Sequence, residues 1–388
     1  MNPSPRICIL SFSKIAWDSR VLREIHYALP HYQVDVIGFG DWTPPDGVRF
    51  FPVAKTQRGK SYMINYLSAL VAGRVASSVY ERFFWGKAEY SAALEILLRE
   101  KYDLIHANDW DSLPVAVTAA RKTGSKVLFD AHEYTVEQEA DRPFWKATVA
   151  PFRDRMIRSY QESIQARITV AEGIRQLYKT NYGWDMDLIL NAPKYNPIPY
   201  RPVNPEQINI IHHGGALPTR YIEDFVDLST ALDSRFCLTL MLMPTNPGYY
   251  ARLRRKASAL VCDRLRFIEP VPPPKIPETL RQYDLGIPAM RVGQLNNFYC
   301  LPNKFFEFLM NGLAVITTPL PSMQQLIAAH KIGAVAANQT WQSVANCINQ
   351  LTPAQINTFK QNSLVLAQQI NADTEGQKLL AIYERILH

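Results

Sequence analysis

Pro193-Lys194-Tyr195-Asn196-Pro197-Ile198-Pro199-Tyr200-Arg201-Pro202-Val203-Asn204-Pro205 is a run that neither a helix nor a central strand tolerates. Proline fixes φ and removes a backbone donor, so this density predicts an extended, semi-rigid connector. It splits a chain of 388 residues, too long for one ordinary domain, into two parts of domain size. The expected division is an N-terminal domain over 1–198 and a C-terminal domain over 199–363. The segment 364–388, in a helical stretch running from Ile356 to Leu387, is able to join the first domain.

Outward from the connector, strand-like and helix-like patterns alternate on both sides. Before it, Arg6–Ser13, Val34–Phe39, Tyr102–Ala107 and Lys126–Asp130 read as strands, with helices at Val21–Leu29 and Leu113–Lys122. After it, Ile208–His212, Cys237–Met243, Arg264–Ile268, Leu285–Pro288 and Ala314–Thr318 read as strands, with helices at Tyr221–Leu232 and Asn303–Met310. Strands separated by helices imply βαβ units and a parallel sheet. The fold class is therefore α/β, two Rossmann-like domains facing each other across a cleft. Ligands of such sheets bind beyond the carboxyl ends of the strands, which draws attention to Ser11–Asp18, Asn108–Asp111 and Asp130–Tyr134.

Composition narrows the function classes. Hydrophobic residues make up 47% and charged residues 20%, as in a soluble globular protein. No secretory signal and no run long enough to span a bilayer is present. The five cysteines are scattered without a C-x-x-C pair, so a reducing cytoplasm is expected. A net charge of +7 favours anionic partners, yet no nucleic-acid-binding signature accompanies it, and nucleic acid is excluded as the main partner.

Two segments carry chemistry. In His212-His213-Gly214-Gly215-Ala216-Leu217-Pro218-Thr219-Arg220, a strand runs into two glycines, then an arginine, then a helix. Glycines let the backbone approach a ligand, the helix offers N–H groups to an anion, and arginine can fork onto phosphate oxygens. In Leu301-Pro302-Asn303-Lys304-Phe305-Phe306-Glu307-Phe308-Leu309-Met310-Asn311-Gly312, proline suits a helix start and glycine its stop. The spacing puts Lys304, Glu307 and Asn311 on one polar stripe of an otherwise apolar helix. Such a stripe serves either a solvated Lys–Glu pair or a diphosphate at Lys304 with ribose hydroxyls at Glu307.

Leu301 to Ile316 (LPNKFFEFLMNGLAVI) resembles the donor-site signature of glycosyltransferase family 4. Further pieces follow in the same order: Asp18-Ser19-Arg20-Val21, Tyr102 to Asp109, Asp130-Ala131-His132-Glu133, Ile168 to Ala171, and Gly214 to Arg220. The resemblance implies the fold called GT-B and a retaining transfer from a nucleotide diphosphate sugar, with no metal and no cofactor. It also implies roles. His132, Arg220, Lys304 and Glu307 would be the catalytic set. Gly214, Gly215, Leu301, Pro302 and Asn303 would join Arg220, Lys304 and Glu307 in holding the donor. Asp18, Arg20 and Asp109 would lie with His132 on the acceptor side. Two departures bear on specificity: Tyr299 stands where the family usually has a second glutamate, and Ala216 where it often has a second basic residue.

The expected partners are a nucleotide-sugar donor and a glycan or lipid-linked acceptor, in cell-surface polysaccharide assembly. The enzymatic rival is a nucleotide-sugar 2-epimerase, and the non-enzymatic one a silent nucleotide-sugar-binding relative. Asp109-Trp110-Asp111 also has the Asp-x-Asp form of metal-dependent transferases, but Asp111 and Ser112 stand where a helix cap belongs. The apolar, aromatic stretch Tyr62–Trp85, flanked by Arg58, Lys60, Arg82 and Lys87, reads as a buried helix of the first domain. Its alternative reading is peripheral contact with an anionic membrane.

Overall fold

The computed structural model describes residues 4–57, 59–73, 76–139, 142, 144–260 and 262–388. Arg58 and residues 74 and 75 of the apolar stretch lie outside these. The chain forms two compact units, 1–190 with 375–388, and 191–374.

The first unit is built on seven parallel strands: β1 (Arg6–Lys14), β2 (Gln33–Phe39), β3 (Val48–Pro52), β4 (Leu104–Asn108), β5 (Lys126–Ala131), β6 (Ala166–Thr169) and β7 (Asp187–Leu188). Their order is β3-β2-β1-β4-β5-β6-β7, a doubly wound sheet whose order reverses between β1 and β4. The helices are α1 (Ser19–Ala28), α2 (Lys60–Ala72), α3 (Ser77–Trp85), α4 (Ala88–Glu100), α5 (Asp109–Thr123), α6 (Trp145–Tyr160) and α7 (Glu172–Tyr182). Covered on both faces, the central strands are near-continuous apolar runs; Ile7 to Leu10 of β1 are fully buried.

The second unit has β8 (Ile208–Gly215), β9 (Phe236–Met243), β10 (Leu265–Ile268), β11 (Leu285–Gly286), β12 (Ala314–Thr317) and β13 (Gly333–Val335), in the order β10-β9-β8-β11-β12-β13. All its pairings are parallel, and the order reverses between β8 and β11. Its helices are α8 (Glu223–Ala231), α9 (Pro247–Ala259), α10 (Ile276–Leu280), α11 (Leu295–Tyr299), α12 (Asn303–Met310), α13 (Pro321–His330), α14 (Trp341–Asn349) and α15 (Pro353–Gln369). The chain ends in α16 (Ala372–Leu387).

The division falls at 190/191 rather than 198/199 because the connector is tied to the second unit. Val203 lies in that unit's core and its N–H donates to Asn357 Oδ1, while Arg201 bonds buried Asp284 at 2.9 Å. The terminal segment also divides differently. α15 is held in the second unit by Lys360, whose ammonium lies 2.6 Å from Asp284, so only 375–388 joins the first. There Leu379, Ile382 and Tyr383 enter the core beside Ile7, Ile9, Val21 and Leu128. At about 1.5–3 kcal/mol for each large apolar side chain buried, this helix is part of the domain rather than an appendage.

The stretch Tyr62–Trp85 is not one buried helix. It falls in α2 and α3, and Met63, Ile64, Leu67 and Val71 of α2 are exposed to solvent.

Candidate functional site

In the second unit, β8 ends on Gly214 and Gly215 beside the point where the strand order reverses. Gly214 has φ +136°, a conformation side chains rarely adopt. A Cβ there would sit 3.0 Å from Lys304 Nζ and 3.2 Å from an Arg220 guanidinium nitrogen. A Cβ on Gly215 would meet Thr245 Oγ1 at 2.7 Å. The two glycines thus open the space into which the cations converge. Lys304 arrives one residue inside α12, and Arg220 at the end of a short 3-10 turn, Pro218–Arg220.

Among the described residues, neither cation forms an ion pair with a carboxylate. Burial, then the Arg220 charge, push the Lys304 ammonium down to about 7, with Glu307 pulling the other way. Two adjacent cations short of counter-charge are costly until an anion arrives. Beside them is a cavity of about 230 Å³, lined by His212, Arg220, Arg291, Asn297, Pro302 and Lys304 among others.

Glu307 lies one turn further along α12, its Oε2 3.1 Å from His213 Nε2. His212 Nδ1 is 2.8 Å from the Ile287 carbonyl, and burial followed by Lys304 hold this ring well below its usual pKa. The neutral ring therefore donates through Nδ1, which leaves buried Nε2 as an acceptor without a partner. Leu301 is buried and Pro302 caps α12, so these two shape the entry, while Asn303 is exposed at the helix start. Asn311 departs from the expected stripe: it is buried just past the helix, and its amide donates to the Glu307 carbonyl at 2.8 Å.

In the first unit, His132 follows β5. Its Nδ1 is 3.3 Å from Asp109 Oδ2, and its Nε2 is 3.1 Å from Asn108 Oδ1 and 3.5 Å from Asp130 Oδ2. Burial opposes the charge, but Asp109 and Asp130 override it and hold the imidazole well above its ordinary pKa. Asp109 has φ +60°, a conformation costing on the order of 1–3 kcal/mol that the surrounding structure must sustain. Asn108 is itself fixed, its amide donating to Glu24 Oε2 at 2.8 Å. Glu133, next in sequence, is pushed up to about 7 by burial and then by Asp109.

Asp18 and Arg20 hold the domain together. The Asp18 carboxylate accepts from the Arg20 and Val21 N–H groups and caps α1. Arg20 is buried, forks onto Asp130 at 2.5 and 2.9 Å, and donates to the Ile189 carbonyl. Glu24, His106 and Asp130 could hold a metal ion by spacing, but the Arg20 guanidinium already lies 3.5 Å from Glu24 and 2.5 Å from Asp130. Asp109 opens α5, after an N-cap at Asn108 rather than Asp111 or Ser112, and Asp111 instead accepts from the Tyr90 hydroxyl at 3.0 Å.

The helix after Arg220 begins later than expected. Tyr221 sits at φ 49°, and α8 opens on Glu223 and Asp224, acids that already occupy its first turn. Sequence reasoning gave no role to His213, Asn108, Glu24 or Glu133. His213, Asn108 and Glu133 stand inside the quoted segments without a role of their own and Glu24 lies outside them; only strand pairing brings Asn108 opposite Asp130.

Residues 26–191 match the family described as glycosyl transferase 4-like domain. No curated protein matches the sequence. HepE from Anabaena, solved in complex with UDP and glucose, superposes with a TM-score of 0.69 at 14% identity, over 98% of this chain and 100% of that one. Sucrose-phosphate synthase from Thermosynechococcus elongatus gives 0.71 at 14%, over 98% and 99%. A glycosyltransferase from Rickettsia africae gives 0.70 at 12%, over 100% and 99%. The chain has the GT-B fold of these structures, and the stretch 26–191 is what resembles a glycosyl transferase 4-like domain.

Proposed function

We propose that the protein is a retaining, metal-independent glycosyltransferase that moves a sugar from a nucleotide diphosphate to a glycan or lipid-linked acceptor in cell-surface polysaccharide assembly. The observation behind this reading is the convergence of Lys304 and Arg220 over Gly214 at the end of a strand, with no carboxylate ion pair to either among the described residues. A departing nucleoside diphosphate gains negative charge in the transition state, and preorganised cations stabilise it there. Removing one such donor costs on the order of 10²-fold or more in rate. These cations supply the charge that a divalent ion supplies in metal-dependent transferases.

Glu307 would accept hydroxyls of the nucleotide ribose, with His213 orienting its carboxylate. The unpartnered His212 Nε2 faces the need of another hydroxyl donor. His132, held charged by Asp109 and Asp130, would donate to a hydroxyl of the transferred sugar and fix that ring. The acceptor would be reached at the cytoplasmic side of an anionic membrane, in peripheral contact. HepE binds UDP, so uridine diphosphate sugars are the first donors to try.

Thermal-shift screening against nucleotide diphosphates tests the reading. Ligand at 100 times its Kd adds about 2.7 kcal/mol to the stability of the folded state. A panel in which no nucleotide diphosphate raises the melting temperature removes it.

A further inference from the structure

We infer that the outer face of α2 is a docking surface for an anionic phospholipid leaflet, placing this protein against the membrane that holds its acceptor. The helix has a buried side and an inverted outer side. Ala69 and Leu70 are buried, and Thr148 Oγ1 donates to the Leu70 carbonyl, fastening the helix to α6. Tyr62 and Tyr66 pack on Phe83 of α3. The opposite side presents Met63, Ile64, Leu67 and Val71, exposed by 43%, 63%, 53% and 62%. Positions 64, 67 and 71 form one stripe, which a water-facing helix would fill with charged or polar residues.

The charge around this stripe has a sign. α2 contains no aspartate or glutamate, and Lys60 stands one turn before Ile64 on the same stripe. Lys60 and Arg82 are exposed and form no ion pair among the described residues. Glu81, the acid of α3, is matched by Arg155 at 3.4 Å. An apolar stripe with Lys60 on its line and Arg82 on the helix that α2 packs against fits the headgroup–acyl boundary of an anionic leaflet, where apolar burial and attraction to lipid phosphates add.

The same helix also reaches a cavity in its own domain. Tyr62 lines it at the carboxyl ends of β1 and β2 with Lys55, Lys87, Tyr90 and the carboxylates Glu89 and Asp111, a polar site that suits sugar hydroxyls. A lipid-linked acceptor entering from the leaflet would present its headgroup there. This step rests on the proposed transfer to a lipid-linked acceptor; the docking surface itself does not.

Co-sedimentation of the full chain with vesicles is the experiment. Wild-type protein is expected to bind phosphatidylcholine–phosphatidylglycerol vesicles well and phosphatidylcholine vesicles poorly. Ile64→Gln/Leu67→Gln/Val71→Gln should lower partitioning by about tenfold or more, and Lys60→Gln/Arg82→Gln should weaken binding and flatten its salt dependence. All these side chains are exposed, so melting temperatures should hold. Wild-type protein that stays in solution, or a triple variant that binds like wild type, overturns the inference. So does a wild-type dimer that the triple variant makes monomeric, which assigns the face to a second copy of the chain. Nucleotide-induced thermal shifts are measured in parallel: their absence with the vesicle pattern intact removes the donor reading and leaves the membrane face standing.

Discussion

If Lys304 holds the diphosphate as proposed, nucleotide affinity should follow the protonation of its ammonium. In the free protein its ammonium sits near 7, depressed from 10.5 by burial and by the Arg220 charge. A diphosphate bound between the two cations needs that ammonium protonated, and the anion itself raises the group's pKa. Above pH 7, binding must therefore take up a proton. Its apparent affinity should fall about tenfold, or about 1.4 kcal/mol, for each pH unit until the bound-state pKa is passed. The ligand's own phosphate titrates at roughly 6, so isothermal titration is best run from about pH 7.5 to 9.5, where its charge is constant. Over that window the loss should approach about 100-fold. Lys304→Arg keeps the charge at every pH and should flatten the profile; Lys304→Met should flatten it at low affinity. Cys300 lines the same cavity, so the series is repeated in a Cys300→Ser background. Between about 7 and 10.5 the unfolded chain holds the Lys304 proton that the folded chain has lost. This group therefore opposes folding at low pH and ceases to do so as pH rises through that window. A flat wild-type profile, equal to that of Lys304→Met, would refute the placement of the diphosphate at Lys304.

Glu307→Gln should weaken nucleotide diphosphate binding by about 1.5–3 kcal/mol, the range for hydrogen bonds to charged groups, without lowering the melting temperature; equal affinity by calorimetry would reduce Glu307 to a partner of His213. His132→Ala should cut turnover by roughly 10²-fold while leaving nucleotide affinity nearly intact, because the residues proposed to hold the nucleotide belong to the other unit. Near-normal turnover with a working donor–acceptor pair would make it a structural histidine. Transfer should persist in excess chelator, and abolition that manganese reverses would sink the metal-independent reading. Arg20→Met should lower the melting temperature strongly, since it strands buried Asp130 and costs about 3–5 kcal/mol; a small change would show that the pair is replaceable.

Two α/β units, their strand-and-helix alternation and the helix Asn303–Met310 were legible in the sequence, because each is written locally. β-branched runs, a proline-dense connector, and a helix bounded by Pro302 and Gly312 all act through their own backbones, and α12 occupies the residues that its pattern predicts. The convergence of Lys304, Arg220 and Gly214 was not written there. It depends on three segments meeting at the carboxyl edge of one sheet, and on a backbone angle at Gly214 that neighbouring residues do not dictate. Arg20 is the instructive case: in sequence it belongs to the Asp18-Ser19-Arg20-Val21 segment and is expected on the acceptor side, and in the fold it is a buried counter-ion for Asp130, since β5 brings that carboxylate under α1. The face of α2 follows the same rule in reverse. Its apolar composition reads as core, yet among the described residues no element covers Ile64, Leu67 and Val71, which stay exposed. Periodicity reports what a segment can bury; whether anything buries it is decided by which other segments arrive, and tertiary packing alone determines that.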